Sequence, residues 1–292
     1  MHARVVPSTR HRFDRRDPSF IRTQVDRIGV FFDRYHRLEV DGLERVPSGR
    51  ALVVGNHNGG LMSPDMFGLM VAWWRSFGAD APAYGLMHDM PFRLPLLGDY
   101  MARLGAVPAH PANAHALLER DAKVLVYPGG DLDAFRPWAR RHEIVFGERR
   151  GFVRVALRAR APIVPVVSAG AHEGCLVLTD GRRLADALGL RRMRIEVLPI
   201  CVGLPWGIWL GAQFYVPVPV TIRIRVLDPI AWPELPPEAA DDDAIVRRCR
   251  DEVVARMQTA LDELTREGGF GFLARHRPAS AQRRVTSASA RP

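Results

Sequence analysis

A histidine set in a glycine- and asparagine-rich turn is the residue of this chain best suited to move a proton. It stands in Gly55-Asn56-His57-Asn58-Gly59-Gly60-Leu61-Met62-Ser63-Pro64-Asp65, directly after the apolar run of residues 51–54. An imidazole titrates near neutrality, so it can take a proton from an alcohol at physiological pH. A carboxylate within reach holds the ring tautomer and stabilises the imidazolium that forms. Asp65 is the candidate for that carboxylate; its plainer role is to cap the helix that begins there. Asn58, Gly59 and Gly60 in the same turn are candidate substrate-binding groups.

A second turn follows another apolar run, in Lys123-Val124-Leu125-Val126-Tyr127-Pro128-Gly129-Gly130-Asp131-Leu132-Asp133-Ala134-Phe135-Arg136. Glycines let backbone amides approach a ligand closely, which makes Gly129 and Gly130 candidate contacts, with Asp133 beside them. Arg136 suits a phosphate. No Gly-Lys-Ser/Thr follows, so this is not the phosphate loop of nucleotide hydrolases. Two carboxylates on one turn are thin ground for a metal, and no metal or other cofactor is assigned. The third segment is an apolar, proline-flanked run over residues 162–169, with His172 and Glu173 just past its end as candidate pocket-lining residues.

The elements that must position these groups alternate. Short apolar runs at 51–54, 83–87, 106–109, 123–127 and 163–168 read as strands; 65–74, 112–120 and 151–160 read as helices. The order predicts an α/β fold, a mostly parallel twisted sheet flanked by helices, whose strand carboxyl ends are where ligands bind. Strands at 194–197 and 221–227 and a long helix at 244–267 complete the expected domain. Residues 1–17 read as a disordered basic arm, 18–274 as one domain and 275–292 as a disordered tail.

The domain opens with an amphipathic helix over residues 18–38. Ile21, Val25, Ile28, Phe31, Phe32 and Tyr35 recur at helical spacing, with Arg22, Arg27, Arg34 and Arg37 between them. Two readings are open: a helix packed on the core with its arginines in solvent, which is favoured, and a helix lying on an anionic bilayer. Residues 197–220 carry no charge over 24 positions, long enough to span a membrane. Pro199, Pro205, Pro217 and Pro219 break any regular helix there, so the segment reads as buried strand and loop, with Trp206, Ile208 and Trp209 dipping into a headgroup zone.

The formal charge of +9 is almost all arginine, since Lys123 is the only lysine. Either codon bias or attraction to anions, a membrane surface or a polyphosphate group, accounts for it. No helix-turn-helix, zinc-finger or aromatic RNA-binding signature is present, so nucleic acid is not an expected partner. Three scattered cysteines read as free thiols in a reducing compartment, and the basic N-terminus lacks the apolar stretch of a secretory signal. These features point to a cytoplasmic protein peripherally attached to a membrane.

The Gly55-Asn56-His57-Asn58-Gly59-Gly60 to Asp65 string, the Tyr127-Pro128-Gly129-Gly130 turn and the Arg150-Gly151-Phe152-Val153 to Ala161-Pro162-Ile163-Val164-Pro165-Val166 run occur in one order. Together, over roughly residues 40–235, they resemble the lysophospholipid and glycerolipid acyltransferase superfamily. The likeness is greatest to its monoacylglycerol and diacylglycerol acyltransferase-like branch. The resemblance implies a His57–Asp65 dyad acting on a thioester of coenzyme A or acyl carrier protein, with a lipid hydroxyl as acceptor and acyl-CoA as substrate rather than cofactor. Seven residues separate His57 from Asp65, more than is usual in the family. The stretch Gly105-Ala106-Val107-Pro108-Ala109-His110 lacks the arginine that phosphatidate-forming members use, and Pro128-Gly129-Gly130 replaces their Pro-Glu-Gly. Asp133 stands where the diacylglycerol branch tends to have a glutamate. These departures favour a less charged acceptor, such as mono- or diacylglycerol or another lipid alcohol. A thioesterase using water and a catalytically inactive lipid-binding protein are the competing readings.

Overall fold

In the computed structural model, which describes residues 13–193 and 195–272, a buried seven-stranded sheet carries helices on both faces. In chain order the strands are β1 (Glu39–Asp41), β2 (Ala51–Gly55), β3 (Ala83–Met87), β4 (Ala106–Pro108), β5 (Lys123–Val126), β6 (Ile163–Ala169), β7 (Leu176–Thr179), β8 (Ile200–Gly203), β9 (Gly207–Leu210) and β10 (Arg223–Val226). The helices are α1 (Pro18–Arg34), α2 (Pro64–Phe77), α3 (Pro95–Arg103), α4 (Pro111–Glu119), α5 (Gly130–Ala134), α6 (Gly151–Ala159), α7 (Arg182–Ala187) and α8 (Asp243–Glu267). The large sheet runs β1-β10-β6-β2-β5-β3-β4 and is parallel except where β10 meets β6. Strands β7, β8 and β9 form a separate antiparallel sheet.

Strand β2 lies at the centre, between β5 and β6, and every residue of it is buried. Its alternation divides the core. Leu52 and Val54 join Leu117, Val153 and Val253 from α4, α6 and α8. Ala51 and Val53 join Ile21, Leu69 and Trp73 from α1 and α2 on the opposite face. A strand covered on both faces must be apolar throughout, which is why its run shows no polar alternation. Proline in the first turn starts α1, α2, α3 and α4. Asp17 caps α1 through Phe20 N at 3.0 Å, and Asp242 caps α8 through Ala244 N at 2.7 Å and Ile245 N at 3.1 Å.

Several boundaries differ from those expected. Residues 13–17 belong to the folded body rather than to an arm: Phe13 is buried, and the Arg16 guanidinium donates to the carbonyls of Ala79, Ala81 and Ala83. The rest of the arm and the tail at 275–292 lie outside the described residues. Helix α1 ends at Arg34. It buries Ile21 and Phe32 and leaves Arg22, Arg27 and Arg34 exposed, the core-packed arrangement. No strand forms at 195–199. Glu196 N donates to Asp131 Oδ2 at 2.8 Å, so a side chain takes the amide that a ladder would have used. The uncharged segment becomes the β8–β9 hairpin, and no helix among the described residues is long and apolar enough to cross a membrane.

Topology creates one crevice. From β2 the chain passes through α2 to β3, on the β5 side; from β5 it passes through α6 to β6, on the other side of β2. Connections that leave neighbouring strands in opposite directions open a gap at their carboxyl ends. The turns after β2 and β5 hold His57 and Gly129-Gly130.

Candidate active site

The backbone of His57 is held on both sides by a buried ion pair. Its N–H donates to Asp133 Oδ2 at 2.5 Å, and its C=O accepts from Arg136 Nη1 at 2.7 Å. Arg136 Nη1 also donates to Asp133 Oδ1 at 3.0 Å, and both side chains are fully buried. Val145 N adds a donor to Asp133 Oδ1 at 3.1 Å. Arg136 Nη2 reaches Asn58 Oδ1 and Arg141 O, and its Nε lies between Arg140 O and Arg141 O. A buried charge needs a partner and filled hydrogen bonds, and this network supplies them.

Asparagines pin the turn on its other side. Asn56 exchanges two hydrogen bonds with Ser168 of β6, accepting at 2.8 Å and donating at 3.1 Å. Asn58 donates from its backbone and its side chain to Asp65 Oδ2, at 2.9 and 3.1 Å. Met66 N completes the Asp65 shell at 2.8 Å. The expected hydrogen bond between His57 and Asp65 is therefore not formed in this structure. Asp65 sits in the first turn of α2, and the donors turned toward it there are those of Asn58 and Met66. Asp65 thus holds the residue that follows the histidine.

The half-buried His57 ring lies over Tyr127, centroid to centroid 4.8 Å with 30° between planes. Gly55 makes this possible, since a Cβ there would come within 2.5 Å of the Tyr127 ring. Nε2 stands 3.3 Å from Ser63 Oγ, whose one hydroxyl hydrogen goes to Gly60 O at 2.8 Å. Ser63 adopts φ 43°, an uncommon conformation for a non-glycine residue, directly before Pro64. Nδ1 is enclosed and has no hydrogen-bond partner among the described residues.

Burial first, and the Arg136 charge second, push the His57 pKa down to about 4. The imidazole is therefore neutral at physiological pH and has a lone pair to offer. Burial raises Asp65 to about 7 against the hydrogen bonds from Met66 and Asn58. Burial likewise raises Asp133 to about 6, countered chiefly by Arg136.

The remaining candidates divide. Asp133 and Arg136, expected to meet substrate, are consumed by the protein and fix the histidine instead. His172 is buried beneath them, with Nε2 donating to Arg136 O at 2.8 Å, and burial holds its pKa well below the ordinary value. Its ring supports the arginine. Glu173 Oε2 accepts from Phe272 N at 3.0 Å and ties down the C-terminal segment. In the glycine turns, Gly60 N donates to Ala134 O at 3.1 Å and Gly130 N to Tyr127 O at 3.1 Å. The amides of Gly59 and Gly129 have no acceptor among the described residues. Gly129 has no room for a side chain, since a Cβ there would lie 2.3 Å from that of Asp133.

Three groups escaped the sequence reading. Ser63 carried a weak signal, its place just before a helix-opening proline. Arg149 braces the second turn, with Nη1 on Gly129 O at 2.6 Å and Nη2 on Asp131 and Glu196. Tyr215 donates to Gly59 O at 2.6 Å from 156 residues away, and no local pattern marks it. An apolar cavity adjoins the second turn at Pro128 and Arg149 and runs between Leu52, Val126, Phe152 and Val155. Another lies on the α2 side of the sheet against Trp73 and Leu125 and does not reach the histidine turn.

Residues 37–169, which include both turns, match the family model described as Acyltransferase. Over those residues the chain is similar to acyltransferases of that family. An uncharacterized protein of Mycobacterium tuberculosis is 34% identical over 235 residues, 80% of this chain and 63% of that protein. The chain thus spans somewhat less than two thirds of that relative's length. A mouse protein named as a DGAT1/2-independent enzyme synthesizing storage lipids is 26% identical over 171 residues, 59% of this chain and 50% of its own. Among solved structures, the 1-acyl-sn-glycerophosphate acyltransferase PlsC of Thermotoga maritima is similar with a TM-score of 0.48 and 17% identity, over 84% of this chain and 81% of that one.

Proposed function

We propose that this chain moves a fatty acyl group from a thioester of coenzyme A or acyl carrier protein to the hydroxyl of an uncharged lipid alcohol, such as a mono- or diacylglycerol. The observation that carries the proposal is a neutral imidazole at the mouth of a parallel sheet, its peptide gripped by Asp133 and Arg136 and its Nε2 beside an alcohol oxygen, that of Ser63. A substrate hydroxyl takes up a comparable position. The imidazole removes its proton as the oxygen attacks the thioester carbonyl. The carbon–sulfur bond then breaks, and the thiolate leaves with the electron pair. The imidazolium then gives its proton to the departing sulfur, a return that the nearby Arg136 charge favours. The unengaged amides of Gly59 and Gly129 are the candidate donors to the developing oxyanion. The apolar cavity beside Pro128 suits the acyl chain.

Two observations support an uncharged acceptor. Arg136 and Arg149, the arginines bonded to the two turns, are taken up by protein acceptors and offer no free guanidinium to a phosphate. The mouse relative is named for storage-lipid synthesis. The proposed setting is the cytoplasmic surface of a membrane.

The test is to incubate the purified protein with radiolabelled acyl-CoA, or acyl carrier protein, and a panel of lipid alcohols. Ester product is expected, reduced by about 10²–10⁴ in His57→Ala, the usual worth of general-base assistance. Thiol release without ester would favour hydrolysis, and binding without turnover would favour an inactive lipid-binding protein. Near-normal transfer by His57→Ala would overturn the assignment.

A further inference from the structure

The sheet of β7, β8 and β9 has two apolar faces. Its register places Val177, Cys201 and Trp209 side by side on the inner face, buried against Leu132 and Phe135 beside the catalytic turns. An antiparallel sheet with one face on a core normally turns polar residues to water. Here the outer face presents Ile200 and Val202, both half-buried, with Ile208 71% and Leu210 48% exposed. Leu204 and Trp206 in the hairpin turn and Phe214 after β9 are each more than half exposed. Trp206 Nε1 donates to Phe214 O at 2.7 Å, so the indole's polar atom is satisfied while its ring stands open. A continuous apolar surface of this kind marks a place of interaction.

We infer that this outer face docks the protein on the interfacial zone of a bilayer containing anionic lipid. The chemistry of the surface favours that partner. The apolar centre comes from a segment of 24 residues without a charge in a chain of net charge +9. Exposed Arg183 lies in α7, the helix that follows β7. Exposed Arg34 ends α1, next to Tyr35, whose hydroxyl donates to Pro217 O at 2.7 Å, at the close of the same segment. An exposed apolar centre with an aromatic ring, on a chain of net positive charge, suits a protein resting in the headgroup layer of an anionic bilayer. The inner face explains the use. Trp209 stacks on Tyr215, with centroids 5.9 Å apart, and Tyr215 donates to Gly59 O. The surface on the lipid is thus one sheet away from the histidine turn. The inference deepens the proposed function, which supplies the reason for meeting lipid, but its test needs no catalysis.

Sedimentation with vesicles of mixed phosphatidylcholine and phosphatidylglycerol, and of phosphatidylcholine alone, at low and high salt, measures docking. The protein is expected to bind the mixed vesicles, more weakly at high salt. Leu204→Asp/Ile208→Asp should lower binding by about tenfold or more, with an unchanged melting temperature as the control for folding. Trp206→Phe should bind nearly as well but lose most of the fluorescence quenching by brominated lipid. His57→Ala should bind like the parent. The inference fails if the parent protein ignores mixed vesicles or if the double aspartate variant binds as well as the parent. It also fails if light scattering shows a dimer that Ile208→Asp dissociates, which would make a second copy the occupant. A protein that binds vesicles yet acylates no alcohol would sink the proposed function and leave this surface standing.

Discussion

The histidine turn and the β8–β9 hairpin are both built from segments rich in glycine, but opposite forces specify them. The turn is held by polar contacts: Asp133, Arg136, Asn56, Asn58 and Asp65 are all buried and all bonded. The hairpin is held by the burial of one face, Trp209 and Cys201, while its other face stays bare. A buried network fixes a side chain to within a hydrogen bond because each unmet group is costly. Hydrophobic burial is non-directional, so it fixes which face points inward and leaves the outward face open to selection for something else. The two regions meet at Tyr215.

That contrast is easiest to break at the imidazole. His57→Ala should reduce acyl transfer by about 10²–10⁴ with circular dichroism unchanged; a fall below tenfold would mean the polar network serves stability alone. Arg136→Met should destabilise by about 3–5 kcal/mol, because it leaves Asp133 buried without its cation. Urea unfolding measures this, and a change under ~1 kcal/mol would show that the ion pair does not hold the turn. In the hairpin, Trp209→Ala should cost a similar ~3–5 kcal/mol, whereas Ile208→Ala, one residue away, should stay within ~0.5 kcal/mol. Equal effects at the two positions would contradict the two-faced sheet. Tyr215→Phe, which cuts the link between the regions, should cost ~1 kcal/mol and perturb the turn.

The smallest effects are in pH. Protonated His57 cannot accept a proton, so activity should fall as pH drops through its folded pKa, about 4 rather than the ordinary 6.5. Its contribution to stability is present above 6.5 and is lost as pH falls towards 4. Asp65 has the opposite sign. Its folded pKa, about 7, lies above the ordinary 3.8, so its contribution is full below 3.8 and is lost as pH rises through 7. Stability of Asp65→Asn relative to the parent should therefore rise between those two values. A flat difference would show that Asp65 titrates normally.

Local pattern determined much of this protein. Continuous apolar runs specified β2 and β6, because a strand covered on both faces has no polar side to display. Glycines and prolines marked the turns after β2 and β5, and their order along the chain carried the resemblance to acyltransferases. The contact partners were another matter. Asp65 binding Asn58 instead of the ring, Arg136 clamping a peptide instead of a phosphate, His172 beneath that arginine, and Tyr215 reaching Gly59 all depend on which chain atoms come within 3 or so ångströms across 7 to 156 residues. A one-dimensional sequence shows which groups can donate or accept, but hydrogen bonds depend on distance and angle, and only the packed sheet and helices set those.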